Sequence, residues 1–255
     1  MNKVNLIDQF FFTDIFSLDS KEILQKESVS LSLWGISVFL IIFLSVLVGF
    51  FFEENFSICW HLFKNFLTMF FLIFFFKKIN YNFHKLTILF RYNLRNIKKY
   101  LFASLIYLLV FLLLVFIFSV SFGLASKVFG EEKTIDGILN TSYSLFELNL
   151  RDKFLYKKTD FCLYVFSLCV LTPVTEEIFY RRFLYVALRK KFSFKLSMLI
   201  CSLIFAFLHF PEIIVSFFAG CLLCYAYERE GNLSVPIIIH SIKNFVAVFY
   251  IVFAT

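Results

Sequence analysis

The sequence predicts an all-α fold, a polytopic transmembrane helical bundle of about seven spans with eight as the upper count. Of its 255 residues 60% are hydrophobic, and only 7 are Gly and 3 are Pro. Mean hydropathy is +0.83, far from that of a soluble globular domain. Apolar runs of spanning length also recur between short charged loops, and about 20 such residues cross a hydrocarbon core of about 30 Å. The 41 Phe say little about function, because any large apolar residue serves against lipid.

The first span is Leu33 to Phe52, closed by Glu53 and Glu54. The second runs from Cys59 to Phe76 and ends at Lys77 and Lys78, with His61 and Lys64 near its start, where a lysine is expected to snorkel to the interface. Between Lys77 and Lys99 lie seven basic residues and no acidic one, so this loop is expected to be cytoplasmic. The third span is Tyr100 to Leu124, leading into a mixed-charge segment, Lys127 to Asp160, expected outside with a short surface helix. A fourth apolar run begins at Phe161, passes Thr172-Pro173 and two glutamates, and reaches Leu188 before Arg189, Lys190, Lys191 and Lys195. Leu196 to Phe210 and Ile213 to Tyr227 meet at Phe210-Pro211-Glu212 and form a helical hairpin, since proline does not continue a helix interior. Each arm reaches only about 22 Å, short of the far surface. Glu228 to Asn232 returns the chain to the cytoplasm, and Val235 to Phe253 is the last span. All three basic-rich loops then share one side, with residues 1–30 a cytoplasmic N-terminal segment.

The net charge of +7 belongs to these loops, and no nucleic-acid partner is expected. The six cysteines lie mostly in apolar runs, where a free thiol packs as a small hydrophobe. Cys221 and Cys224 form a C-x-x-C without the context of a redox or zinc site, and packing is expected of them. Met1 to Ser30 mixes acidic and basic residues, so no cleavable signal peptide is expected.

Within the apolar runs, Glu176, Glu177 and Arg181 stand out, because ionisable groups at membrane depth need partners, water or chemistry. Glu177 and Arg181 are spaced i,i+4, so the arginine is expected to hold that carboxylate and leave Glu176 free as a general base. His209 and His240 also sit in apolar runs. Counted along a helix from the nearest cytoplasmic charges, Glu176 lies about 20 Å deep, His209 about 21 Å and His240 about 15 Å. Three separate helices thus bring them to one layer, as a shared buried site requires. His240 and Asn244, again i,i+4, are two uncharged donors suited to a developing oxyanion. Lys243, Glu212, Arg182 and His61 are assigned to interfaces or solvated ends.

Three motifs in order then resemble the CAAX-protease and bacteriocin-processing (CPBP/Abi) family of intramembrane peptidases. E-E-x-x-x-R is Glu176 to Arg181, F-x-x-x-H is Phe205 to His209, and H-x-x-x-N is His240 to Asn244. The resemblance covers residues 161–255, the peptidase core, and leaves 31–160 as N-terminal transmembrane helices and loop without a motif. It implies an intramembrane endopeptidase in which Glu176 and His209 position and deprotonate a water, His240 and Asn244 hold the oxyanion, and Glu177 with Arg181 is structural. The expected substrate is a peptide or protein at the membrane, prenylated C-terminal peptides being one family option. Glu176, His209 and His240 also leave a three-ligand zinc site open, although a glutamate-activated water accounts for the same residues with no cofactor. A non-catalytic membrane immunity or scaffold protein of the same fold is the alternative. A proton-coupled transporter is weaker, because no matching broken helices occur in two halves. The expected location is multi-pass in the cell's inner or plasma membrane.

Overall fold

The computed structural model describes residues 30–51, 56–78, 96–129, 154, 157–209 and 212–253. Seven helices account for nearly all of them: α1 (Leu31–Phe51), α2 (Phe56–Lys78), α3 (Ile97–Phe129), α4 (Lys158–Arg189), α5 (Phe194–Phe207), α6 (Ile213–Glu230) and α7 (Ser234–Phe253). The stretches Ile97–Ile117, Lys158–Arg189 and Ser234–Phe253 are long and apolar enough to cross a membrane. Phe39, Phe66, Leu109, Phe207 and Phe249 are among the large apolar side chains left exposed, which suits a hydrocarbon solvent. The described residues form no strand, and these spans make the chain an integral membrane protein. The expected surface helix before Asp160, most of the basic loop after Lys78, and the N-terminal segment fall outside the described residues.

Proline would ordinarily break α4 at Pro173 by removing a backbone donor, yet the helix runs on. A π-helical stretch, Ser167–Leu171, lies just before it, and the Thr172 N–H reaches back five residues to the Ser167 carbonyl. With Thr172 so engaged and Pro173 lacking an N–H, the Leu168 carbonyl loses its helical donor. Asn244 of α7 supplies one, Nδ2 to Leu168 O at 2.8 Å. A second π-helical stretch, Ile178–Tyr185, follows the glutamates, and its Phe179 carbonyl accepts the Trp34 Nε1–H of α1 at 3.1 Å. The local register shift of a π turn thus gives α4 carbonyls to neighbouring helices.

α5 and α6 form the expected hairpin, although its apex at Phe210-Pro211 is not among the described residues. A Cβ added at Gly220 would sit 3.1 Å from the Ser202 Cα, so the glycine lets the two backbones approach. α6 ends at Gly231, in the left-handed conformation at φ 61, where a side chain is disfavoured. At the next residue, Asn232 Oδ1 accepts the Ser234 N–H at 2.7 Å and starts α7. That sharp reversal sets the register in which α7 presents His240 and Asn244 to α4. Trp34, Leu72 and Phe75 from α1 and α2 pack in one core with Phe179 and Phe183 of α4 and Phe205 of α5.

Candidate active site

Glu176 and Glu177 are adjacent on α4 and point to different partners. Glu177 is 0% exposed. Its Oε2 lies 3.0 Å from Arg181 Nε and its Oε1 2.8 Å from His240 Nδ1. The i,i+4 pair expected from the spacing is therefore present, and a second bond joins it to α7. A carboxylate held by arginine is an acceptor, so His240 Nδ1 carries the hydrogen. Neutral His240 then turns a lone pair outward at Nε2, and an Nε2 donor requires the imidazolium, with Glu177 as counter-charge. His240 as an uncharged donor does not survive this contact.

Arg181 is fully buried, and its Nη1 and Nη2 make no hydrogen bond. Its Cζ instead lies 4.6 Å from the centroid of the Phe205 ring, a cation–π contact strengthened by desolvation. Phe205 also stacks on His209, with centroids 4.1 Å apart, and presents an edge to His240 at 6.1 Å. The Phe of F-x-x-x-H is therefore the hub that spaces the arginine and both imidazoles.

His209 stands at the end of α5, where its Nδ1 lies 2.7 Å from the Phe205 carbonyl. A carbonyl only accepts, so Nδ1 donates and Nε2 is the basic nitrogen. Nε2 is 3.4 Å from Glu176 Oε2, and that oxygen is buried without a hydrogen-bond partner. Two acceptors facing one another favour a donor between them. Glu176 Oε1, by contrast, is taken by Lys64 Nζ of α2 at 2.9 Å.

Lys64 corrects the sequence reading, which sent it to the interface. It sits nine residues into α2 and extends to Glu176, because a buried carboxylate offers more to an ammonium at that depth than a distant headgroup. Its neighbour Asn65 donates from Nδ2 to Ser167 Oγ at 3.0 Å and to Thr172 Oγ1 at 2.9 Å, the first residue of the first π stretch and the residue just after it. Neither residue was singled out for the site. Depth marks Lys64 all the same: from Lys77 it is about 20 Å along the helix, the depth of Glu176.

Arg182, assigned to a solvated end, is 2% exposed. It follows Arg181 within a stretch of α4 covered on every side from Phe179 to Leu188, and no face there is left for solvent. Lys243 and Glu212 line a cavity of about 490 Å³ together with Glu176, His209, His240 and Asn244. A second cavity of about 390 Å³ meets the same Glu176, His209 and Lys64 and continues between Val38, Ile41 and Phe179. The side chain of His61 lies outside the described residues. Cys201 and Cys224 are buried free thiols, as packing predicts.

The donors Glu176, His209 and His240 fit a metal poorly as placed. The contact of His240 Nδ1 with Glu177 leaves Nε2 in the form a metal takes, but Lys64 places an ammonium on Glu176, where a dication would compete with it. Among the described residues no three His, Cys, Asp or Glu side chains form a ligand group.

Residues 158–246 match the model of the Rce1-like family, described as Type II CAAX prenyl endopeptidase Rce1-like. No curated protein and no solved structure matches the chain. The matched segment holds Glu176, Glu177, Arg181, His209, His240 and Asn244, and leaves Lys64 and Asn65 outside it. That match and the three motifs within it support the CAAX-protease (CPBP) family for residues 158–246 of the chain.

Proposed function

We propose that the protein is an intramembrane endopeptidase, open toward the cytoplasm, that hydrolyses a peptide bond of a membrane-associated substrate of the prenylated C-terminal type. The observation that carries this reading is the facing pair of acceptors, Glu176 Oε2 and His209 Nε2, 3.4 Å apart where the two cavities meet. A water there donates one hydrogen to each and turns its lone pair toward a carbonyl carbon in the larger cavity. As the C–O bond forms, its proton passes to Glu176 and the carbonyl electrons move to oxygen. Asn244 spends one amide hydrogen on the Leu168 carbonyl and has a second for that oxyanion. His240 stands beside it in the same cavity, its Nδ1 held by Glu177. The tetrahedral intermediate collapses by breaking the C–N bond, and the leaving amine takes the proton from Glu176. Water is thus divided between a carboxyl product and an amine product.

The test is cleavage of a quenched fluorescent peptide carrying an S-farnesyl cysteine near its C-terminus, by the full chain in proteoliposomes. Glu176→Ala or His209→Ala is expected to insert and fold normally and to lose about 10²–10⁴-fold in rate, the range of a lost general base. Wild-type turnover by either variant would remove the assignment, and a wild type silent on membrane peptides would return the fold to a non-catalytic role.

A further inference from the structure

We propose that Lys64, on a helix outside the family-matched segment, is a positioning residue of the hydrolytic site: its ammonium holds Glu176 Oε1 and so aims Oε2 at His209. This rests on the peptidase reading above. Lys64 Nζ is 2.9 Å from Glu176 Oε1, hydrogen-bond distance for a charge-assisted contact. The two oxygens of Glu176 are thereby divided between helices, Oε1 to α2 and Oε2 to α5.

The carboxylate has no other hydrogen-bond donor among the described residues. Without Lys64 its terminal torsion, broad and roughly two-fold for Glu, leaves both oxygens free to rotate away from the Nε2 of His209. The lysine stem is itself aligned by the residue beside it, because Asn65 bonds Ser167 and Thr172 on α4 and fixes how α2 is turned and seated along that helix. Lys64 is 24% exposed by its side chain and lines both cavities. A substrate in either cavity can meet the ammonium, and the kinetic split below separates holding Glu176 from binding substrate.

The experiment uses the full chain with Lys64→Met, which keeps the stem and removes the charge, and Lys64→Arg, which restores a carboxylate donor. On the S-farnesyl peptide, Lys64→Met is expected to lower kcat by about 10²-fold with KM changed by less than about twofold, as misplacement of a catalytic group does. Lys64→Arg is expected to regain most of that loss. Unchanged kcat, a loss carried by KM, or no recovery with arginine overturns the proposal.

A second measurement is independent of turnover. Tm values in detergent for Lys64→Met, Glu176→Gln and the double variant are expected to be non-additive, since the single variants break one shared contact. Additive shifts remove the contact and overturn the proposal whatever the activity. Should the wild type cleave no membrane peptide, the peptidase reading falls while the melting cycle still decides whether Lys64 holds Glu176.

Discussion

The C-terminal helices α4 to α7 carry every motif and the whole family match, whereas α1 to α3 carry neither. Yet the second group touches the site as directly as the first. Lys64 bonds the proposed base, Asn65 ties the π turn beneath it, and Trp34 caps a carbonyl two residues beyond Glu177. The difference lies in how each half contributes. The C-terminal half supplies reacting groups at fixed local spacings, and those spacings survive as sequence patterns. The N-terminal half supplies single side chains that depend on where a whole helix docks, and a lone lysine or asparagine leaves no pattern.

The largest test of this contrast is Arg181→Met. It removes the cation from a fully buried Glu177 and leaves a charge with only His240 as its partner. Breaking such a pair costs about 3–5 kcal/mol. A large drop in detergent Tm together with lost activity is expected. A variant that melts like wild type would mean that Glu177 is held by His240 alone, and that the E-E-x-x-x-R spacing is not a structural unit here.

Asn65→Leu probes the other side of the contrast and is expected to be milder. Two amide donors are lost toward Ser167 and Thr172. Side-chain hydrogen bonds between membrane helices average about 0.6 kcal/mol and reach about 1.7, so a destabilisation of about 1–2 kcal/mol follows. Activity is expected to fall further than stability, because α2 loses the register that presents Lys64. Equal melting and full turnover would detach α2 from the site and confine it to the C-terminal half.

Much of the site was legible because depth and spacing are properties of single helices. Glu176, His209 and His240 line up by counting from the charged loops, and Glu177 finds Arg181 by i,i+4. The bond between Glu177 and His240 was not legible: 63 residues separate them, and only the packing of α7 on α4 brings them together. That contact changes the chemistry of His240 by fixing which nitrogen holds the hydrogen. Lys64 was misread for a different reason, since it was measured from the nearer end of its helix. Counting from Lys77 puts it in the same layer as the glutamate. Arg182 was misread because one arginine was expected inside and the next outside, and helix periodicity permits that only where a solvated face exists. The π turns have a sequence hint in Pro173 alone.

The smallest expected effect belongs to Trp34→Phe, and it bears most finely on the comparison. Phenylalanine keeps an aromatic ring against Phe179 and Tyr180, whose centroids lie 5.2 and 5.8 Å from that of Trp34. What it cannot keep is the Nε1 donor to the Phe179 carbonyl. A hydrogen bond of about 0.6 kcal/mol between the helices is at stake. The expected result is a small fall in Tm with kcat close to wild type, because the indole bonds a backbone carbonyl and neither Glu176 nor His209. Should kcat fall as far as in Lys64→Met, the π stretch transmits α1 docking to Glu176, and the N-terminal half would set the geometry of the base through the backbone of α4 as well as through the lysine.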